Sequence, residues 1–213
     1  MKKLFIKLAK ILGFEIIDQN QFSSPTLNKE LNEDLSILNE KSIVLPLGDV
    51  KISRSVKSIL IIIRMNTEVE IWDQNKKRLF EQPKIDYSYR SINSLIRSIE
   101  FCQNKYPNIK IKTIIIDDNS KDENLNRIKK LIDNKNIEIV SLNHENYKTL
   151  IKDQKTKETF SNLASLMNSF EIAKDKGEDL IFFVEDDYLH FEPMLEEMVA
   201  SYERIASQLK KDI

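Results

Sequence analysis

The chain has 213 residues and 25.0 kDa, with 41% hydrophobic and 31% charged residues: enough for one folded domain plus a short appendage, and too apolar for a disordered chain. Its 33 basic and 34 acidic residues leave a net charge of −1, which argues against a nucleic-acid partner. Three glycines (Gly13, Gly48, Gly177) exclude a Walker A loop and a G-x-G-x-x-G fingerprint, and Cys102, the single cysteine, excludes an internal disulfide and a Cys-rich zinc site. With only His144 and His190 present, any metal falls to oxygen ligands.

Residues 1–17 read as a basic amphipathic helix, with Lys2, Lys3, Lys7 and Lys10 set against Leu4, Phe5, Leu8, Ile11 and Leu12. Lys7 and Lys10 interrupt what would be a signal-peptide apolar core, and no stretch approaches the ~18 uncharged apolar residues of a membrane span. Such a helix either lies on an anionic membrane surface or packs on its own domain. A cytoplasmic place is expected, peripheral on the inner face of a membrane in the first case. Residues 18–55 are polar, with Pro25, Pro46 and an acidic run over 32–39, and read as a linker or surface arm with a short strand at 42–45.

From Val56 the pattern changes. Residues 58–63 (SILIII) form a continuous apolar run, the mark of a strand buried on both faces. A long polar loop, 66–86, contains Trp72. Ile92, Leu95, Ile96, Ile99 and Cys102 follow helical spacing. A second strand is predicted at 109–116. Ser120 and Glu123 suggest a capping box opening a helix with Leu125, Ile128, Leu131 and Ile132. A third strand follows at 137–142, then a helix lined by Phe160, Leu163, Ala164, Met167 and Phe170, then a fourth strand at 180–184. Pro193 suits the first turn of a last helix whose stripe is Met194, Leu195, Met198, Tyr202, Ile205 and Leu209. Apolar strands alternating with amphipathic helices predict an α/β fold over 56–213: a mostly parallel sheet with helices on both faces.

Such sheets bind ligands beyond the carboxyl ends of their strands. After the second strand stands Asp117-Asp118-Asn119-Ser120, and after the fourth Glu185-Asp186-Asp187-Tyr188. On a parallel sheet both acidic clusters share one edge. Like charges gathered there need a compensating cation or hydrogen-bond donors, and carboxylates suit Mg²⁺ or Mn²⁺. Asp118 to Ser120 also reads as a plain helix start. A receiver-like phospho-acceptor domain fits poorly, because its acid pair belongs after the first strand, where Arg64-Met65-Asn66 stands.

These segments resemble the nucleotide-sugar-binding half of family 2 GT-A glycosyltransferases, over residues 56–204. Thr113-Ile114-Ile115-Ile116-Asp117-Asp118-Asn119-Ser120 is similar to the family's apolar-apolar-D-D-G/N-S segment. Phe182-Phe183-Val184-Glu185-Asp186-Asp187 is similar to its D-x-D type metal motif. Residues 162–173 resemble the helix before that motif, with Asn168 at its recurrent Asn. The resemblance implies a Rossmann-like sheet, a nucleotide-sugar donor, a saccharide or lipid-linked acceptor, and Mn²⁺ or Mg²⁺. It places Asp117, Asp118, Asn168, Glu185 and Asp186 at the nucleotide sugar, and Asp187 with Glu185 at the metal. It implies sugar transfer to an acceptor hydroxyl, inverting, in polysaccharide biosynthesis.

Two departures stand beside it. The family follows its first strand with P-T-Tyr/Phe-N, whereas here Arg64-Met65-Asn66-Thr67 follows; Arg64 either offsets diphosphate charge or pairs with a nearby acid. The chain closes at Ile213, shortly after Asp187, so the acceptor-binding half is expected to be missing and no residue is assigned as catalytic base. His190, near the metal motif, is either a phosphate donor or a solvated helix-start residue. The other expectation is therefore a non-catalytic nucleotide-sugar-binding or interaction module tethered to membrane.

Overall fold

The computed structural model describes residues 11–12, 51–68, 82–152 and 156–213. Most of the basic N-terminal segment, the arm to residue 50 and Trp72 lie outside them. The chain divides into two units, Ser55–Tyr202 and Met1–Arg54 with Glu203–Ile213. In the latter, the Ser207 hydroxyl accepts from the backbone N–H of Ser53 at 2.9 Å and of Arg54 at 3.0 Å, and Arg54 pairs with Asp212 at 2.7 Å. Among the described residues no helix is long and apolar enough to cross a membrane.

The larger unit holds the sheet. In chain order come β1 (Ser58–Met65), α1 (Lys84–Lys105), β2 (Lys110–Asp117), α2 (Asp122–Leu131), β3 (Ile137–Ser141), a 3-10 turn (His144–Tyr147), α3 (Lys157–Lys176) and β4 (Leu180–Glu185). Helix α4 (Met194–Leu209) follows. The four strands are all parallel, in the order β3-β2-β1-β4. Central β1 explains its own sequence. Ile59, Ile61, Ile63 and Met65 share one core with Ile92 and Leu95 of α1, Ile128 of α2, and Leu195 and Val199 of α4. Leu60 and Ile62 share the other core with Ile114, Ile116, and Ala164 and Ile172 of α3. A strand covered on both faces has no polar side, hence the unbroken apolar run.

The chain steps from β1 to β2 to β3 with α1 and α2 on one face, then reverses through α3 on the opposite face to place β4 beyond β1. A crossover of constant hand must change faces when its direction reverses. The reversal opens a crevice between the carboxyl ends of β1 and β4, where open α/β sheets place ligands.

Several expectations shift. Helix α1 begins at Lys84, inside the stretch read as a polar loop to residue 86, and its first turns bury Ser88 and Ser91 along with Ile85. These belong to a buried serine row on α1. Ser88 donates to Asp186 at 2.5 Å, Ser94 accepts from the N–H of His190 at 3.0 Å, and Ser98 accepts from the N–H of Leu195 at 3.0 Å. The capping box does not form: α2 starts at Asp122 without a side-chain cap. Asn119, at φ 56°, turns the chain, and Ser120 accepts from the N–H of Thr67 at 3.3 Å instead. On α4 the buried apolar side chains are Leu195, Val199 and Ala206, while Met198, Ile205 and Leu209 are exposed. Phe170 also faces outward, edge-on to Phe183 at 5.3 Å. Gly177 closes α3 where a Cβ would meet the Ala173 carbonyl oxygen at 2.5 Å.

Candidate functional site

The crevice is a cleft of about 210 Å³ at the carboxyl edge of the sheet. The end of β1 supplies Arg64, Met65 and Asn66; the turn after β2 supplies Asp118; the end of β4 supplies Glu185, Asp186 and Asp187. Helix α3 adds Glu158, Ser161, Asn162 and Ser165 from its first turns, and α1 adds its first residue, Lys84. The two acidic clusters thus meet in one cleft, as parallel strands require.

Asp118 is buried and saturated. Its Oδ1 accepts from His144 Nε2 at 2.8 Å and Asn119 Nδ2 at 3.2 Å; its Oδ2 accepts from Asn66 Nδ2 at 3.1 Å and from the Ser161 hydroxyl. A carboxylate has room for about four donors. A ligand hydroxyl reaching Asp118 must displace one of them. Ser161 and His144 also approach each other, Oγ to Nε2 at 3.2 Å.

Asp186 is buried beside Lys84, 2.7 Å from its ammonium, and receives the Ser88 hydroxyl. Burial pushes its pKa up, against the pull of Lys84 and Ser88. Asp187 lies 3.6 Å from the same ammonium and keeps 52% of its side chain exposed. Arg64 is held from two sides. One guanidinium nitrogen donates to Asn162 Oδ1 at 2.6 Å; the other pairs with Glu185.

The remaining candidates are not brought into the cleft lining. Asp117 ends β2 in register with Met65 and is buried with its Oδ1 unpartnered; burial raises its pKa, and Ser120 opposes the rise. Asn168 lies farther along α3 and donates to the Tyr147 hydroxyl at 2.9 Å, which itself donates to Glu171. His190 is half-buried with Nε2 unpartnered, and burial lowers its pKa. Lys84, His144, Ser161 and Asn162 were not singled out in the sequence. His144 had a signal, since it follows β3 as Asp118 follows β2. Lys84 had none, standing at the far end of a polar stretch.

Among the described residues no group of three His, Cys, Asp or Glu side chains is arranged to hold a metal. Mg²⁺ and Mn²⁺ nevertheless keep waters and take substrate phosphate oxygens, so one or two carboxylates suffice. Asp187 fits that demand, being half exposed and only distantly paired. Glu185 and Asp186 are engaged by Arg64 and Lys84.

No protein-family model matches the chain, and no curated protein is significantly similar to it. Two solved structures resemble part of it. The crystal structure of S. aureus TarS 1–349 has 15% identity over 67% of this chain and 31% of that chain, with a TM-score of 0.36. The same protein in complex with UDP-GlcNAc has 17% identity over 68% of this chain and 30% of that chain, also at 0.36. The present chain spans about a third of either.

Proposed function

We propose that the cleft binds the nucleotide part of a nucleotide-sugar donor and serves transfer of the sugar to a saccharide or lipid-linked acceptor hydroxyl. The observation that carries this reading is the meeting of Asp118, from the turn after β2, with the acids at the end of β4 at the switch point of a parallel sheet, beside Arg64 and Lys84. Asp118 would receive a ribose or base donor in place of Asn66 or Asn119. Arg64 and Lys84 supply positive charge for a diphosphate. Asp187 would hold Mn²⁺ or Mg²⁺; such an ion offsets the charge gathering on the departing nucleoside diphosphate. Among the described residues of the cleft lining, five carboxylates face two side-chain cations, an excess of negative charge that such an ion would offset.

Calorimetric titration of UDP and GDP, with and without Mn²⁺, tests the reading. Asp187→Asn is expected to abolish the metal-dependent part of binding and leave the fold intact. Asp118→Asn is expected to weaken binding about equally with and without metal. If Asp187→Asn keeps the parent's metal dependence, the metal assignment fails.

One observation favours a binding module without turnover. A general base needs a carboxylate able to take a proton from the acceptor, yet Asp118, Glu185 and Asp186 are engaged by donors of the chain itself, which leaves Glu158 and Asp187, the latter assigned to the metal. A turnover assay across a panel of nucleotide sugars separates the readings: binding without sugar transfer or donor hydrolysis supports the module.

A further inference from the structure

Arg64 stands at the end of β1 with its guanidinium held on one side by α3 and paired on the other with a half-exposed carboxylate. Nη1 donates to Asn162 Oδ1 at 2.6 Å, with the Asn162 carbonyl oxygen and Ser165 Oγ at 3.4 Å. All three are neutral groups on α3. Nη2 faces the Glu185 carboxylate, whose side chain is 50% exposed and makes no other hydrogen bond among the described residues. The Arg64 side chain is itself only 20% exposed and lines the cleft. A planar fork held on one edge by neutral acceptors is pre-set to receive an oxyanion on the other. A half-exposed carboxylate anchored at one point is held weakly, because solvent screens the pair and its side chain regains freedom on release.

We propose that Arg64 is an oxyanion receptor for phosphate or diphosphate oxygens, and that Glu185 occupies it as an internal substitute which the incoming anion displaces. The inference rests on the nucleotide-sugar reading for its natural ligand, but not for its chemistry. It differs from an ordinary surface ion pair in one measurable sign. Removing the Glu185 charge removes a competitor, so anion binding tightens, and it tightens only while Arg64 is present.

The test titrates pyrophosphate into the full chain in EDTA at low salt, with inorganic phosphate and UDP as parallel arms. Arg64→Gln should weaken pyrophosphate binding by about tenfold or more, the scale of a charge-assisted contact. Glu185→Gln should tighten it roughly threefold to fivefold, as expected for losing a half-exposed competing pair. Asp187→Asn reports the general effect of deleting one negative charge in the cleft, and the Glu185→Gln gain should exceed it. In the double variant the gain should vanish. If Arg64→Gln does not fold by circular dichroism, the cycle is run on Arg64→Lys, which keeps the charge but loses the fork, and the gain should again vanish. A gain that survives without Arg64, or one no larger than that of Asp187→Asn, overturns the proposal. If pyrophosphate follows the expected pattern while UDP binds no tighter than pyrophosphate, the receptor stands and the nucleotide reading falls.

Discussion

Asp117 and Asp118 are neighbours in sequence with opposite electrostatic situations. Asp118 accepts four donors, whereas Asp117 leaves one buried oxygen unpartnered. Burial raises the pKa of Asp117 above the ordinary 3.8, so the folded protein keeps a proton that the unfolded chain releases. Stability contributed this way is present at low pH and is lost as pH rises from the ordinary aspartate value through the raised one. Asp117→Asn cannot titrate. Urea unfolding from acid to neutral pH should therefore show the parent losing stability relative to Asp117→Asn as pH rises through that window, with no further change above it. A relative gain over the same window would contradict the assignment. Asp186, raised for the same reason, contributes with the same sign in both proteins and cancels in the comparison.

At the scale of elements, α1 shows why sequence periodicity reads a helix only in part. Its apolar stripe, Ile92 through Cys102, was legible; its first turns were not, because between Ile85 and Ile92 the residues buried there are serines. A serine signals burial only when its partner is known, and the partners lie about a hundred residues away, at Asp186, His190 and Leu195. Leu195 is the second residue of α4, and its N–H belongs to the first turn, where no intrahelical acceptor exists. Ser98 is thus a cap borrowed from another helix. Ser98→Ala should cost about 1 kcal/mol, the usual worth of a cap, read as a lowered urea midpoint with unchanged slope. A variant as stable as the parent would show that water replaces the hydroxyl. Strand β1 and most of β2, by contrast, were visible as apolar runs because burial on both faces erases alternation; β4 is an apolar run as well, although Ile181 and Phe183 on one face are exposed. Their ends shifted by one or two residues, which moved Arg64, Asp117 and Glu185 into strands.

At the scale of the whole molecule, composition excluded phosphate-loop, disulfide and zinc-cluster chemistry, and element order implied a parallel sheet. The shared edge of Asp118 and Asp187 followed from parallel strands alone, and both line the cleft. The internal pairing of the cleft was not legible. Which cation meets which acid depends on α1 and α3 crossing opposite faces of the sheet, and no local pattern encodes the partners of Lys84, Arg64 or His144. The same arrangement limits what a sequence motif implies: an acidic triplet after a strand does not leave three free ligands once two of its members carry partners.

The convergence on Asp118 has a kinetic consequence. Its four donors come from the end of β1, the turn after β2, the 3-10 turn after β3 and the first turns of α3. Asn119 adjoins Asp118, but Asn66, His144 and Ser161 lie far from it along the chain, so the junction is complete only after three strands and a crossover have docked. Non-local contacts of this kind form late on a folding route. An interaction absent from the rate-limiting barrier changes the escape rate from the native state and leaves the arrival rate alone. A nucleotide bound at Asp118 should therefore slow unfolding in stopped-flow jumps into urea while refolding jumps keep their rate. A ligand that instead speeds refolding would place this junction in the folding nucleus.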